Sequence, residues 1–148
     1  MSDFQSITTS TAVLGAVLAR LRIAKGLKQS DIATSLGIAP SGWSRIEKGE
    51  TYPSLSQLKA AARMLGETPG RIMDLAEEAE SELISKGMKI DDTTWANVFG
   101  GSASTRSAAI GLVAGGMAAG SFIPVVGTAL GGLIGGLIGT YLNKQNKE

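Results

Sequence analysis

Apolar residues in the first half of the chain recur every three or four positions, a spacing typical of helices that bury one face. Four such stretches each end at a glycine, a residue that readily takes the left-handed conformation closing a helix. These glycines are Gly26, Gly37, Gly49 and Gly66. The side chains expected to face inward are Val13, Leu14, Val17, Leu18, Leu21, Ile32, Ala33, Leu36, Trp43, Ile46, Leu55, Leu58, Ala61, Ala62 and Leu65.

Helix starts are also marked in this part of the chain. Pro40 suits the first turn of the third helix, where its missing N–H would have no partner in any case. Ser54 and Gln57 have the spacing of a capping box and predict the start of the fourth helix. A fifth helix begins after Thr68-Pro69. It carries Ile72, Met73, Leu75 and Ala76, and its apolar pattern extends through Ala79, Leu83 and Ile84.

Charge divides the chain into segments. Residues 11–76 hold nine basic and five acidic side chains, whereas residues 77–106 hold six acidic and three basic ones. Residues 107–143 contain no charged side chain and ten of the 20 glycines. We therefore predict a flexible N-terminus (1–10), a five-helix domain (11–76), an acidic helical connector (77–106), a glycine-rich hairpin (107–143) and a basic tail (144–148). The predicted fold class is all-α.

The composition excludes several kinds of chemistry. The chain has no Cys and no His, so it can hold no disulfide, no thiolate or imidazole zinc site and no histidine general base. No pair of carboxylates suggests a reactive site either. We therefore expect no catalytic residue, no metal, no cofactor and no enzymatic activity. The first ten residues lack the basic start and apolar core of a secretion signal, which predicts a cytoplasmic protein.

A spaced set of residues over 11–76 resembles the Cro-like phage-repressor family, also called the xenobiotic-response-element family. The matching residues are Arg22, Gly26-Leu27-Lys28-Gln29, Ile32-Ala33, Leu36-Gly37, Ser44-Arg45-Ile46-Glu47-Lys48-Gly49, Pro53-Ser54-Leu55, Leu58, Ala61 and Leu65-Gly66. The resemblance implies a helix-turn-helix domain that places its third helix in the major groove of double-stranded DNA.

The resemblance also implies roles for individual residues. Gln29 matches a position that hydrogen-bonds a phosphate. Pro40, Ser41 and Arg45 match positions that read bases, and an arginine there can bind guanine O6 and N7 bidentately. Lys48 and Thr51 match positions that contact the DNA backbone. Arg22 and Glu47 match a structural ion pair, and Trp43 matches a core position.

Departures from the family pattern leave three interpretations of the domain open. Lys28 and Ala39 stand where the family usually has a Ser or Thr helix cap, each loss costing about 1 kcal/mol. Pro40 replaces a frequent polar reader, and Gly42 replaces a bulkier residue. The domain therefore reads a specific DNA sequence, or binds weakly through phosphates alone, or has become a protein-docking surface. The first is the favoured interpretation.

Glycines in the uncharged run fall at every fourth position, which places small residues on one helix face and lets a neighbouring helix approach closely. The rows are Gly111 and Gly115, then Gly127, Gly131, Gly135 and Gly139. Pro124 divides the run into halves of 17 or 18 residues, near the lower limit for crossing a bilayer. The run lacks a phosphate-loop lysine, and its many Leu and Ile residues do not suit a flexible linker.

The run resembles glycine-zipper membrane hairpins, and it predicts either membrane association through 107–143, at the inner membrane, or a soluble glycine-packed oligomer. The leading hypothesis is a DNA-binding transcriptional regulator, a dimer or higher homo-oligomer, that the hairpin tethers to a membrane or to other copies. The alternative is a membrane-active or complex-assembling effector whose hairpin carries the function, with the helix-turn-helix domain as a docking or self-regulating module.

Overall fold

The computed structural model describes residues 7–90 and 123–147, and the side chains of residues 8–90 and 132–147. Six helices and one pair of very short strands make up this part of the chain. They are β1 (Ile7–Thr8), α1 (Ser10–Ala24), α2 (Gln29–Leu36), α3 (Pro40–Glu47), α4 (Leu55–Leu65), α5 (Pro69–Ser85), β2 (Lys89–Ile90) and α6 (Ile123–Gln145). The all-α class and the five N-terminal helices are confirmed.

The strands β1 and β2 pair in parallel, with Ile7 opposite Lys89 and Thr8 opposite Ile90. This pairing, which the sequence pattern did not predict, joins the start of the domain to the end of α5. The fifth helix continues through residue 76, where we placed the domain boundary, and buries Ala79 and Leu83. The remainder of the predicted connector from residue 91, and the first arm of the hairpin with Gly111 and Gly115, lie outside the described residues.

Local sequence signals account for the helix ends. Gly37 and Gly66 close α2 and α4 in the left-handed conformation, with φ of 70° and 68°. The Ser54–Gln57 capping box is confirmed: the Ser54 hydroxyl accepts from the Gln57 backbone N–H at 3.2 Å, and the Gln57 side chain accepts from the Ser54 N–H at 2.8 Å. Neither Lys28 nor Ala39 caps its helix with a side chain.

All six helices of the described ranges contribute buried side chains to one hydrophobic core. Trp43 is fully buried, as its predicted packing role requires. One of the predicted inward residues is wrong. Leu55 is 66% exposed because it is the first residue of α4 and lies at the edge of the core. On α5, Met73 is 42% exposed because it lies beside the buried stripe that runs through Ile72, Leu75, Ala76, Ala79 and Leu83.

A close approach joins α1 to the end of α3. A Cβ atom on Gly15 would stand 2.4 Å from the backbone oxygen of Ile46 and 2.6 Å from that of Glu47. Such contacts are shorter than real atoms permit, so only glycine fits at this position. The absent side chain of Gly15 therefore sets the distance between the two helices.

The C-terminal helix α6 packs on α1 and α5. Ile134 and Ile138, one helical turn apart, are buried in the same core as the first five helices. Beside them the Tyr141 hydroxyl donates to the Glu67 carboxylate at 2.9 Å, and the Arg71 guanidinium lies 4.3 Å from the centre of the Tyr141 ring. Burial, together with the Glu67 hydrogen bond, raises the pKa of the Tyr141 phenol.

The packing face of α6 is therefore its Ile and Leu face, and the glycines mostly face away. A Cβ on Gly132, Gly136 or Gly139 would meet nothing within 4 Å, whereas one on Gly135 would make an ordinary contact with Arg20 at 3.5 Å. Gly127 and Gly131 belong to α6, in its part without described surroundings. No helix in the described ranges is both long and apolar enough to cross a membrane.

Replacing Gly15 with alanine tests the close approach between α1 and α3. Replacing glycine with alanine inside a helix normally stabilises the protein by up to about 1 kcal/mol. Here we expect destabilisation of about 1–3 kcal/mol, because the new methyl group overlaps backbone atoms of α3. Urea unfolding followed by circular dichroism measures it. Gly70→Ala is the matched control, since nothing lies within 4 Å of its added Cβ; a stabilised Gly15→Ala variant would contradict the geometry.

Replacing Ile134 with alanine tests the docking of α6. Removing a fully buried isoleucine is expected to cost about 2–5 kcal/mol. Ile84→Ala is the matched control, because Ile84 is 57% exposed on α5 and should change stability by less than about 0.5 kcal/mol. Thermal unfolding of the full chain compares the two variants, and equal unfolding temperatures would show that α6 is not part of the core.

Candidate nucleic-acid interface

The second and third helices form a compact pair around a tight turn. After Gly37, the Ile38 backbone N–H donates to the Ala33 carbonyl at 3.0 Å, which folds the chain back over the end of α2. Pro40 then begins α3. The buried residues of α3 are Trp43 and Ile46, which face the core. The opposite side of α3 is consequently open to solvent.

A single carboxylate fixes the position of α3. Glu47, with a side chain 6% exposed, forms a bidentate ion pair with Arg22 of α1, and the Arg22 Nη2 atom lies 3.1 Å from Glu47 Oε2. The same carboxylate accepts from Trp43 Nε1 at 2.6 Å and from Gln29 Nε2 at 2.7 Å. One acidic group therefore ties together α1, α2 and α3.

Arg22 extends this network into the turn before α2. Its Nη1 atom donates to the Leu27 carbonyl oxygen at 2.9 Å. The guanidinium thus orients the turn and the carboxylate at once, using donors on each of its nitrogens. The family resemblance implied the ion pair between Arg22 and Glu47. The sequence did not indicate that Trp43 and Gln29 also donate to the Glu47 carboxylate.

The outer face of α3 carries the residues expected to read bases. Pro40, Ser41 and Arg45 are exposed, and Ser41 and Arg45 are four positions apart, so they lie on the same side of the helix. Lys48 and Thr51, just beyond the helix, are also exposed. Gln29 differs from these five, because it is half-buried and its amide already donates to Glu47.

Arg45 has a neighbour that the sequence analysis did not single out. Its side chain is 64% exposed, and its Nε atom lies 3.3 Å from Glu50 Oε2. In the sequence, Glu50 is simply an acidic residue shortly after the third helix, and that position alone predicts no contact with Arg45.

The charged residues around this surface differ in their pairing. Lys28 and Lys48, both exposed, form no ion pair with any described residue. Lys25, which likewise forms no ion pair with a described residue, lies over the end of α4, with its ammonium 3.3 Å from the place of a Cβ on Gly66. Arg71, on α5, lies within 4 Å of both Asp74 and Glu78. Lys28 and Lys48 are thus free to meet a negatively charged partner at α2 and α3, whereas Arg71 already has acidic neighbours.

The described residues offer no cluster of acidic side chains arranged to hold a metal ion. Their chemistry is that of hydrogen-bond donors and cations on an exposed helix, a combination that suits phosphates and base edges.

Replacing Glu47 with glutamine tests the central carboxylate. The variant keeps the shape but leaves the half-buried Arg22 without an opposite charge, so we expect a loss of about 3–5 kcal/mol in the free energy of unfolding. Urea titration measures this loss. Glu50→Gln is the matched control: its ion pair is exposed, and its removal should cost no more than about 1 kcal/mol. Similar losses in the two variants would contradict a structural role for Glu47.

Comparison with known proteins agrees with this geometry over part of the chain. A family of helix-turn-helix domains matches residues 13–79, which include nearly all of α1, the whole of α2, α3 and α4, and most of α5. No curated protein and no solved structure matches the chain. Residues 13–79 therefore form a helix-turn-helix domain, with α2 and α3 as the helix pair after which such domains are named.

Proposed function

We propose that this protein is a sequence-specific DNA-binding regulator in which α3 enters the major groove. The observation that carries the proposal is the open outer face of α3, with Arg45 projecting from a helix that Glu47 locks in place. A reading helix must be held rigidly, because base contacts tolerate little displacement. The match of residues 13–79 to helix-turn-helix domains supports the same function.

Individual residues then have distinct roles. Arg45 donates to guanine O6 and N7, with Ser41 at its side on the same helix face. Lys48 and Thr51 contact phosphates beyond the end of α3. Gln29 reaches a phosphate with its second amide N–H, since only one is used by Glu47.

The small residues of α3 are compatible with specific reading. Pro40 is exposed and presents an apolar ring of the kind that contacts a thymine methyl group. A side chain on Gly42 would meet Ile38 only at an ordinary 3.5 Å, so glycine is not needed there for packing. Because Gly42 has no side chain, the start of α3 can approach the bases closely. Specificity is accordingly concentrated in Ser41 and Arg45, which favours a short recognition sequence.

The C-terminal helix supports self-association more than membrane tethering. Arg20, on the side of α1 that faces α6, is two positions from Arg22, which points to α3; α6 therefore lies across α1 from the reading helix. Insertion of α6 into a bilayer would require Ile134 and Ile138 to leave the core. Contact between copies would not, because Gly132, Gly136 and Gly139 face outward and leave room for a second helix.

Selection from random DNA with the full chain at low salt tests the function. We expect enrichment of a short guanine-containing sequence. A homodimer would select two such half-sites related by two-fold symmetry and about 10 base pairs apart. A pool that stays random after selection would overturn the proposal, and single unpaired sites would argue against a dimer on DNA.

Three variants assign the contacts on the selected sequence. Arg45→Ala should weaken binding by about 1–3 kcal/mol and relax the preference at one base pair. Lys48→Ala should weaken binding to all sequences alike. It should also reduce the slope of log affinity against log salt concentration by about one. Lys144→Ala is the control, because Lys144 is an exposed residue of α6, which lies across α1 from α3, and it should change neither quantity. Fluorescence anisotropy at several salt concentrations measures all three.

A further inference from the structure

The backbone after α3 brings Glu50 back to the side of Arg45. The Glu50 N–H donates to the Arg45 carbonyl at 2.9 Å, and the Gly49 N–H donates to that of Ile46 at 3.0 Å. Gly49 itself has φ of 75°, a left-handed conformation that favours glycine. The position of Glu50 is therefore set by the way α3 ends.

The same turn is held against α1. A Cβ on Gly49 would stand 2.4 Å from the Cα atom of Ala12, so the turn has no room to shift towards α1. Arg45, Gly49 and Glu50 accordingly belong to one rigid unit with α1 and α3, rather than to a free loop. A side chain anchored in this way is a suitable support for its neighbour.

The contact between the two side chains uses only one edge of the guanidinium. Glu50 Oε2 lies 3.3 Å from Arg45 Nε, and no other hydrogen bond from the Arg45 side chain to a described residue is present. Guanine recognition needs two parallel donors, and the Nη1 and Nη2 groups remain available to supply them. An exposed ion pair of this kind adds little to folding stability, whereas the contact at Nε restricts the direction in which the guanidinium points.

We propose that Glu50 is a positioning residue for base recognition: it holds the Arg45 guanidinium by Nε so that both terminal nitrogens point at guanine. The inference rests on the proposed function. Its carboxylate has a second consequence, because a negative charge beside the reading helix repels phosphates of any sequence. Glu50 thus lowers affinity for unrelated DNA while it raises affinity for the selected site.

The two effects have opposite signs, which makes the inference testable. Dissociation constants of the full chain are measured for the selected duplex and for an unrelated duplex of equal length. If Glu50 acts only as a charge, Glu50→Ala strengthens binding to both duplexes equally. If it positions Arg45, Glu50→Ala weakens binding to the selected duplex and strengthens binding to the other, and the ratio of the two affinities falls by about 3- to 10-fold.

Three further variants separate positioning from other causes. Glu50→Gln retains an acceptor for Nε without the charge, so it should keep most of the discrimination while binding both duplexes more tightly. In an Arg45→Ala background, Glu50→Ala should leave the affinity ratio unchanged, because no guanidinium remains to be oriented. Glu77→Ala, which removes an exposed carboxylate on α5, is the charge control and should alter neither affinity.

An equal gain in affinity for both duplexes on Glu50→Ala would overturn the inference, and it would leave the proposed function intact as long as Arg45→Ala still lost the base preference. Failure of the parent protein to select any sequence would instead remove the proposed function, and the positioning role with it.

Discussion

The Glu47 carboxylate is the contact on which the orientation of α3 depends. Apolar packing of Trp43 and Ile46 holds α3 on the core, but hydrophobic contacts are not directional and permit a helix to roll or slide. Hydrogen bonds from Arg22 of α1 and Gln29 of α2 to the Glu47 carboxylate remove that freedom, because they tie α3 to two other helices. The bond from Trp43, which lies on α3 itself, holds the carboxylate in place. In this half-buried site, leaving one of the polar groups without a hydrogen bond costs free energy. The network therefore favours one arrangement of the three helices.

The first helix lies between α3 and α6 and contacts both. One side of α1 meets α3 through Gly15 and Arg22, and another meets α6 through the surface near Arg20. Apolar or small residues occupy most of its circumference, and a helix that is apolar on nearly all sides is a buried one. The other four helices of the domain leave one side of α1 uncovered, and α6 packs against that side.

Local rules explain why the five helices and their ends could be predicted. The glycine stops, the Ser54–Gln57 box and the apolar spacing each act within a few residues, so the sequence displays them directly. Leu55 was misplaced because burial depends on where a neighbouring helix lies, which the spacing within one helix does not show. The residue types of Arg22 and Glu47 carried a family resemblance, whereas Glu50 reaches Arg45 only because of the backbone path at Gly49. The docking of α6 depends on the surface that α1 and α5 form together, and no short-range pattern reveals it.

The separation of contacts along the chain bears on the order in which the molecule assembles. Arg22 and Glu47 are 25 residues apart, whereas Tyr141 and Glu67, which join α6 to the domain, are 74 apart. Contacts that close short loops form sooner than those that close long ones. During synthesis the residues of α1 to α5 also leave the ribosome well before those of α6. The helix-turn-helix domain thus has the opportunity to fold first and to offer the apolar C-terminal helix a surface as soon as that helix emerges.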